Sequence, residues 1–478
     1  MVTRRGVIHL TPEKLDSGET THRFRVEEAF GNFPPGISEK LSCKPTDTEF
    51  AAIGHDPSPN AVLKAGEKLF NVLNASRDVQ MLFAQMAAGT ATSPETYPLF
   101  VKIEDPSGPE ELPWEVLWEQ DRDFLALDPQ GRWPIARLVP SLDRPVRVVK
   151  SIDPVLRITL VLAAADVSGG NEWDSFKLAV GVLDVPIEIL VLVSEAQAVE
   201  QVRNDLAMMD VTRIRGNVEY VGDQESLVAR IVESSPNILH FFCHGRIDAV
   251  AQLDLETRVG RISGSSNKGG SIILRAQDLK PIVALRSLWL IVLNCCSSGK
   301  STSILHSIAK SLVAGALPAV VAMREPVEVD DANIFTRHFY ASLFRELNPV
   351  IGLFASAASP KDAPLAELLW MRATDAARRE LSKVFRRVAA NDSQWTYPVL
   401  YLYRGEVCVE KQDSSAPKDS IEERVENAAL LRTLNLFLDG MRSGIDPVMD
   451  QKRSELAAAI HTIEERLKDQ NCCVGNAV

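Results

Sequence analysis

The sequence has no long apolar run and no cluster of basic residues. Its longest apolar window, Leu312 to Met323, is far shorter than the roughly 20 residues that a membrane-spanning helix needs. The first residues, MVTRRGVIHLTPEK, lack the apolar core of a signal peptide. The net charge of −12 at pH 7 is unfavourable for binding nucleic acid or an anionic membrane. We therefore expect a cytoplasmic protein that binds neither membranes nor nucleic acids directly.

Signatures of disulfide frameworks and of cofactor sites are also missing. The seven cysteines are odd in number and scattered along the chain, which favours free thiols in a reducing compartment. The histidines show no metal-ligand spacing, and neither paired CxxC motifs nor a GxGxxG loop occur in a suitable context. We expect no cofactor and no metal ion.

The length of 478 residues and the 45% hydrophobic content predict two or three globular domains. Residues 1–57 show no clear pattern, whereas helical and then β-type patterns follow up to about residue 150. The tail has two amphipathic helical patterns, the first opened by a capping box at Ser420 to Glu423. We predict an N-terminal α+β segment over 1–150, a central domain over 151–410 and a C-terminal helical hairpin over 411–478.

The central block alternates between strand and helix patterns. The predicted strands in its first half are Leu156 to Ala165, Ile187 to Val193, Val218 to Val221 and Ile238 to Cys243. Helical patterns separate them, which is the order of βαβ units. The sequence therefore predicts an α/β fold with a mainly parallel sheet flanked by helices.

Two apolar strands in this block end in residues that can carry chemistry. The stretch LWLIVLNCCSSGKS reaches Cys295 and Cys296, and the stretch NILHFFCHG reaches His244 and Gly245. Functional loops in open α/β sheets lie at the carboxyl ends of the strands. If the two strands are neighbours, both ends meet at one edge of the sheet, although they are 52 residues apart in sequence.

A cysteine and a histidine at one sheet edge can act as nucleophile and base. The thiolate is the reactive form of cysteine, and histidine has a suitable pKa to generate it near neutral pH. The backbone N–H groups of Gly245 and Cys296 could donate to the oxyanion of a tetrahedral intermediate. Side chains alternate along a strand, so only one of Cys295 and Cys296 can meet His244. His240 shares the parity of His244, which predicts a deeper core or supporting position.

These stretches resemble the CHAT-domain peptidases, relatives of caspases and separases. The motif NILHFFCHG is similar to the histidine strand of that family, and LWLIVLNCCSSG is similar to its cysteine strand. Upstream, ELPWEVLWEQDRDFLAL resembles the Leu-Pro-Trp-Glu segment that precedes these domains, and TYPVLYLY resembles the closing strand. The resemblance covers about residues 60–404, with 60–150 in the N-terminal region of the family.

The resemblance implies a caspase-like fold and a cysteine endopeptidase. Cys296 would be the nucleophile, His244 the base, and Gly245 part of the oxyanion site. Asp330 and Asp331 could line a pocket for Arg or Lys at the cleavage site, although Asp330 also fits the N-cap of a helix. The resemblance also implies a dedicated protein substrate and a regulatory protein partner in a bacterial stress or phage-defence system.

Two alternative functions use the same residues. The run NCCSSGKS has the spacing of a phosphate-binding loop, but Asn294 replaces its first glycine. A caspase-like scaffold without catalysis is the other alternative. The sequence does not predict the oligomeric state or the cleavage specificity.

Overall fold

The structure is a computed structural model that describes most of the first 411 residues. The described ranges are 5–28, 37–53, 60–92, 96–104, 108–140, 148–152, 155–247, 251–258, 270–285, 287–296, 304–315, 317–325, 327–356, 366–368, 370–383, 388–403 and 407–411. The chain divides into two units, Met1–Lys411 and Gln412–Val478. The predicted C-terminal hairpin therefore lies outside the described residues, apart from Lys411.

The strands begin close to the amino end and continue to Lys411. Up to residue 152 they are β1 (Gly6–Lys14), β2 (Thr20–Glu28), β3 (Glu39–Lys40), β4 (Leu99–Ile103), β5 (Trp118–Glu119), β6 (Asp123–Phe124), β7 (Ile135–Leu138) and β8 (Val148–Ile152). Beyond it they are β9 (Leu156–Leu162), β10 (Ile187–Val193), β11 (Ile214–Tyr220), β12 (Ile238–Ile247), β13 (Ala251–Glu256), β14 (Ser271–Arg275), β15 (Leu290–Cys296), β16 (Ala319–Met323), β17 (Ala366–Glu367), β18 (Pro398–Leu402) and β19 (Val407–Lys411).

The helices occupy the intervals between the strands. They are α1 (Thr48–Ala51), α2 (Ala61–Asn74), α3 (Arg77–Thr92), α4 (Gly169–Val180), α5 (Ala196–Met208), α6 (Gln224–Ser234), α7 (Lys280–Val283), α8 (Ile304–Ala314), α9 (Val329–Ser356) and α10 (Trp370–Leu381). None of these described helices combines the length and the apolar character needed to cross a membrane.

One large sheet organises the described part of the chain. Its strand order is β11-β10-β9-β12-β15-β16-β18-β7-β4-β1-β2-β3, and β13 and β14 extend it as a hairpin beside β12. Most neighbours are parallel, including β9 with β12 and β12 with β15. Antiparallel pairing occurs between β16 and β18 and in the outer strands β1 to β3. The predicted α/β fold with a mainly parallel sheet flanked by helices is confirmed.

The helices cover both faces of the sheet because the chain moves towards both of its edges. From β9 the chain passes through α4 and α5 to β10 and β11, whereas from β15 it passes through α8 to β16 in the opposite direction. Right-handed crossovers that move in opposite directions place their helices on opposite faces. The long helix α9 packs beside α4, and its aromatic side chains Tyr340 and Phe344 contact Phe176.

The register of the three central strands is set by Asn237, which is buried just before β12. Its side-chain oxygen accepts from the N–H of Arg157 at 2.8 Å, and its amide donates to the carbonyl of Ser287 at 3.0 Å. Its own carbonyl accepts from the N–H of Trp289 at 2.8 Å. One side chain and its backbone therefore align the starts of β9, β12 and β15.

The N-terminal segment contributes to the same sheet as the central block. Strand β7 pairs with β18, and β4, β1, β2 and β3 follow outwards. Residues 1–57, where the sequence showed no clear pattern, contain β1 and β2, and the inward side chains of β1 are buried. The large sheet contains strands from both sides of residue 150. The domain boundary at that residue stays a prediction.

Arg137 on β7 is buried and hydrogen-bonded to the Leu-Pro-Trp-Glu segment, residues 112–115. Its guanidinium contacts Glu115 through two bonds of 3.1 and 2.9 Å, and it donates to the carbonyl of Leu112 at 3.2 Å. Both charged side chains are almost fully buried. Although burial by itself would raise the pKa of Glu115, the neighbouring Arg137 holds that pKa below its usual range. The segment is therefore fixed to the sheet by a buried, hydrogen-bonded ion pair.

Replacing Arg137 should be far more costly than replacing an arginine in a surface ion pair. The substitution Arg137→Met leaves the buried Glu115 without its hydrogen-bonded charge partner, which should lower the free energy of unfolding by about 3–5 kcal/mol. The double variant Arg137→Met/Glu115→Leu should recover most of this loss because it removes both charges. Urea denaturation followed by circular dichroism measures the effect.

The control is Arg230→Met, because Arg230 pairs with Glu219 at 2.7 Å while both side chains are about one-third exposed. That change should cost no more than about 1 kcal/mol. An equal cost for Arg137→Met and Arg230→Met would contradict the role assigned to the buried pair.

Candidate active site

The candidate site lies where β12 and β15 end side by side. Their parallel register runs from Ile238 opposite Leu290 to His244 opposite Cys296. The two strands are therefore neighbours in the sheet, as the sequence analysis assumed. Residues 52 positions apart in sequence become direct neighbours because the two strands start in alignment.

The same register separates the two adjacent cysteines. Cys295 lies opposite Cys243, and the two sulfur atoms are 3.6 Å apart. Both thiols are buried, at 1% and 0% exposure. Consecutive residues on a strand have their side chains on opposite faces. Cys295 is thus engaged on the face away from His244, and Cys296 is the residue in register with the histidine.

His244 has one ring nitrogen engaged by the backbone of the neighbouring loop. Its Nε2 lies 2.7 Å from the carbonyl oxygen of Ala165. A carbonyl only accepts hydrogen bonds, so Nε2 carries the proton in this contact. In the neutral ring Nδ1 is then the basic nitrogen. The contact therefore fixes the histidine in the tautomer with its proton on Nε2.

The loop that supplies this carbonyl turns sharply after β9. Asp166, next to Ala165, has φ of 58° in the left-handed region. For a non-glycine residue this conformation carries a conformational cost, which the surrounding structure must offset. The turn brings the Ala165 carbonyl over the carboxyl end of the sheet, within reach of β12.

The strand that carries His244 is longer than predicted. The apolar pattern indicated an end at Cys243, but β12 continues to Ile247 and forms an antiparallel hairpin with β13. The reason is that β13 takes over the place beside β12 where β9 stops, with His244 opposite Asp254. His244 is consequently an almost buried residue within a strand, at 5% exposure.

Gly245 presents its backbone N–H towards the side of β15. The carbonyl of Phe242 accepts from the N–H of Ala163, the residue after β9, at 2.8 Å. Backbone groups alternate in direction along a strand, so those of residue 245 are directed to the opposite side. The N–H of Gly245 is therefore directed towards the edge at which Cys296 ends β15.

The predicted pocket acids lie on the first turn of α9. Asp330 is exposed and Asp331 is buried. The helix begins at Val329, so Asp330 lies inside the first turn and the N-cap interpretation is wrong. The carbonyl of Ala332 accepts from the side chain of Asn294 at 3.0 Å. This contact places the first turn of α9 next to β15, two residues before Cys296.

A buried polar cluster beneath the site was not predicted as a group. Asn294 also donates to Glu172 at 2.8 Å and to Thr336 at 3.0 Å. His240 Nε2 lies 3.0 Å from the same Glu172 oxygen, and His240 Nδ1 is hydrogen-bonded to the hydroxyl of Tyr340 at 3.2 Å. The predicted deep position of His240 is confirmed, with no exposed surface. Polar residues at core positions of α4, β15 and α9 were the available sequence signal.

The position of Asn294 is unfavourable for the phosphate-loop alternative. That loop needs a tight turn at its first residue, which glycine normally provides. Asn294 instead lies in the interior of β15, fully buried, with its amide used by the polar cluster. Residues 297–303, which include the Gly-Lys-Ser ending of the motif, lie outside the described residues.

Within the described ranges, no group of three or more His, Cys, Asp or Glu side chains is arranged to hold a metal ion.

Comparison with known proteins gives a family match. The profile of the CHAT domain family matches residues 64–359. A search of curated proteins found no match. Among solved structures, the chain is similar to one in the crystal structure of the Saccharomyces cerevisiae separase–securin complex, with 12% sequence identity and a TM-score of 0.31. That alignment covers 66% of this chain and 16% of the other.

Proposed function

The chain belongs to the CHAT domain family, and on that premise we propose that it is a cysteine endopeptidase with Cys296 as nucleophile and His244 as general base. The observation that carries the proposal is the register of β12 and β15, in which these two residues are direct neighbours. A nucleophile and a base must lie within hydrogen-bond reach of each other, and the side chains of in-register residues on adjacent strands are close enough to allow this.

The reaction follows from the roles of these groups. His244 Nδ1 takes the proton of the Cys296 thiol, and the thiolate attacks the carbonyl carbon of the scissile peptide bond. The N–H groups of Gly245 and Cys296 stabilise the oxyanion of the tetrahedral intermediate. The histidine then gives its proton to the leaving amine, and a water molecule hydrolyses the acyl-enzyme. The Ala165 carbonyl supports the imidazolium formed on the way, because it accepts from Nε2.

The choice of Cys296 over Cys295 rests on strand parity. Cys295 contacts Cys243 on the other face of the sheet and is buried there. Structural cysteines that are buried in this way are chemically inert. We assign the nucleophile to Cys296 for this reason.

The first turn of α9 is our candidate for the substrate pocket. Asp330 and Asp331 would pair with an Arg or Lys side chain just before the cleaved bond. The hydrogen bond between Asn294 and Ala332 supports this assignment, since it ties that turn to the strand that ends at Cys296.

The remaining parts of the proposal rest on the sequence patterns and on the family resemblance. We propose a cytoplasmic protein with a peptidase domain over 151–410, an N-terminal α+β segment over 1–150 and a C-terminal helical hairpin over 411–478. We further propose that a protein partner controls the activity and that the chain cuts one dedicated protein in a bacterial stress or phage-defence system. A constantly active endopeptidase would damage its own cell, which is why control by a partner is expected.

Loss of either dyad residue should remove the activity. Purified wild type, Cys296→Ala and His244→Ala are incubated with the proteins encoded beside this chain, and cleavage is followed by gel and mass spectrometry. Each substitution should lower the rate by more than about 100-fold, since it removes the nucleophile or its base.

The matched control is Cys295→Ala, which removes the neighbouring thiol on the opposite face and should retain most of the activity. Undiminished cleavage by Cys296→Ala or His244→Ala would refute the dyad. Absence of cleavage by wild type, together with no iodoacetamide labelling of Cys296, would favour the non-catalytic scaffold.

One peptide library tests both the cleavage specificity and the control of the activity by a partner. The purified chain alone should cleave the library slowly, and the products should carry Arg or Lys at the new carboxyl end. Asp331→Asn should weaken that preference by about 10-fold or more because a charged pair is lost. Fast, unselective cleavage by the purified chain would contradict control by a partner, and an unchanged preference in both Asp330→Asn and Asp331→Asn would contradict the pocket.

A further inference from the structure

Glu172, in the first turn of α4, is the centre of the buried polar cluster beneath the candidate site. One carboxylate oxygen, Oε1, accepts from the amide of Asn294 at 2.8 Å and from the hydroxyl of Thr336. The same oxygen lies 3.0 Å from His240 Nε2. This atom therefore joins α4 to β15 and α9 through hydrogen bonds, and its short contact with His240 brings β12 next to them.

Asn294 links Glu172 to the strand that carries Cys296. It stands two residues before Cys296 on β15, and its amide also bonds the first turn of α9 through the carbonyl of Ala332. The side chain thus holds the end of β15 against the turn that carries Asp330 and Asp331. His240 lies deeper along β12, opposite Val292 and four residues before His244.

The cluster has the properties of a rigid unit. Glu172, His240, Asn294 and Thr336 are all 1% exposed or less. A buried polar group that loses its partner cannot be compensated by water, so these side chains have few alternative arrangements. Burial, reinforced by the charge of Glu172, raises the pKa of Tyr340 well above its ordinary value, so its hydroxyl remains protonated beside His240.

Stability alone is a weak reason to retain such a cluster. Well-packed apolar residues in place of buried ionic groups are often as stable or more stable. Hydrogen bonds differ from apolar contacts in that they fix direction as well as distance. The cluster therefore fits a role in alignment.

We propose that Glu172 is a positioning residue for the dyad, acting through Asn294 and His240 on the ends of β15 and β12. This inference rests on the proposed function, since it assumes that Cys296 and His244 react together. Glu172 does not touch the substrate. Its effect is to keep the sulfur-bearing strand, the histidine-bearing strand and the first turn of α9 in one arrangement.

The test measures the reactivity of Cys296 without any substrate. The full chain is alkylated with iodoacetamide between pH 5 and 9, and labelling of the Cys296 peptide is followed by mass spectrometry. In wild type, a histidine-activated thiol should react at a pH well below the ordinary cysteine pKa of about 8.5. Glu172→Gln should shift this profile towards the ordinary thiol and lower the rate at pH 7 by about 10-fold.

Thr336→Val is the milder second variant, because it removes the two hydrogen bonds of one hydroxyl, to Glu172 and from Asn294, and no charge. Its profile should shift in the same direction by a smaller amount. Each variant has a matched control of the same chemistry on α10. Asp375→Asn changes a buried acid that pairs with Arg378 at 2.6 Å, and Thr374→Val changes a buried threonine that donates to Trp370.

Thermal unfolding separates alignment from stability. The controls should lower the melting temperature while leaving the Cys296 profile at its wild-type position. If Glu172→Gln and Thr336→Val lower the melting temperature but keep the wild-type profile, the cluster is only structural and the proposal is wrong. If wild-type Cys296 itself reacts as an ordinary thiol, the dyad fails, and this inference fails with it.

Discussion

The parallel pairing of β12 with β15 is the constraint on which the candidate site depends. Asn237 aligns the starts of these strands, and each residue pair that follows inherits that alignment. Because the side-chain period of a strand is two, a slip of one residue would place His244 opposite Cys295 and reverse the faces. The buried pair of Cys243 and Cys295 and the pair of His244 and Cys296 are thus two consequences of one register.

The polar groups in the interior follow a common pattern. The cluster around Glu172 lies on one side of the sheet beneath the candidate dyad, and the ion pair of Arg137 and Glu115 fixes the N-terminal segment to β7. Both are buried, and both connect elements that are distant in sequence. Apolar packing provides most of the stability of such a domain, whereas the buried hydrogen bonds and ion pairs fix the positions of its strands and helices relative to each other.

Local patterns in the sequence were sufficient for the central sheet. The apolar runs that became β10, β12, β15 and β16 are continuous because both faces of these strands are covered. The candidate site followed from the same runs, since His244 and Cys296 come where the apolar character ends. The family resemblance extended this to the Leu-Pro-Trp-Glu segment, and the profile match over 64–359 agrees with it. The roles of the site residues remain proposals.

Long-range features could not be predicted from local patterns. Strands β1 and β2 have mixed composition, and their place in the sheet depends on β4, more than 70 residues later. The extension of β12 past His244 depends on the hairpin with β13, and the cluster around Glu172 depends on four elements that meet only in the fold. The Ala165 carbonyl carries no side-chain signal at all, since any residue could supply it.

The most direct test of the central claim is the structure of a covalent adduct. The chain is treated with a peptidyl chloromethyl ketone that carries Arg next to the reactive group. We expect one new bond, from the sulfur of Cys296 to the inhibitor, with the inhibitor oxygen about 2.7–3.1 Å from the N–H of Gly245 and the His244 ring beside it. Reaction at another residue, or an adduct on Cys296 with His244 out of hydrogen-bond reach, would contradict the account.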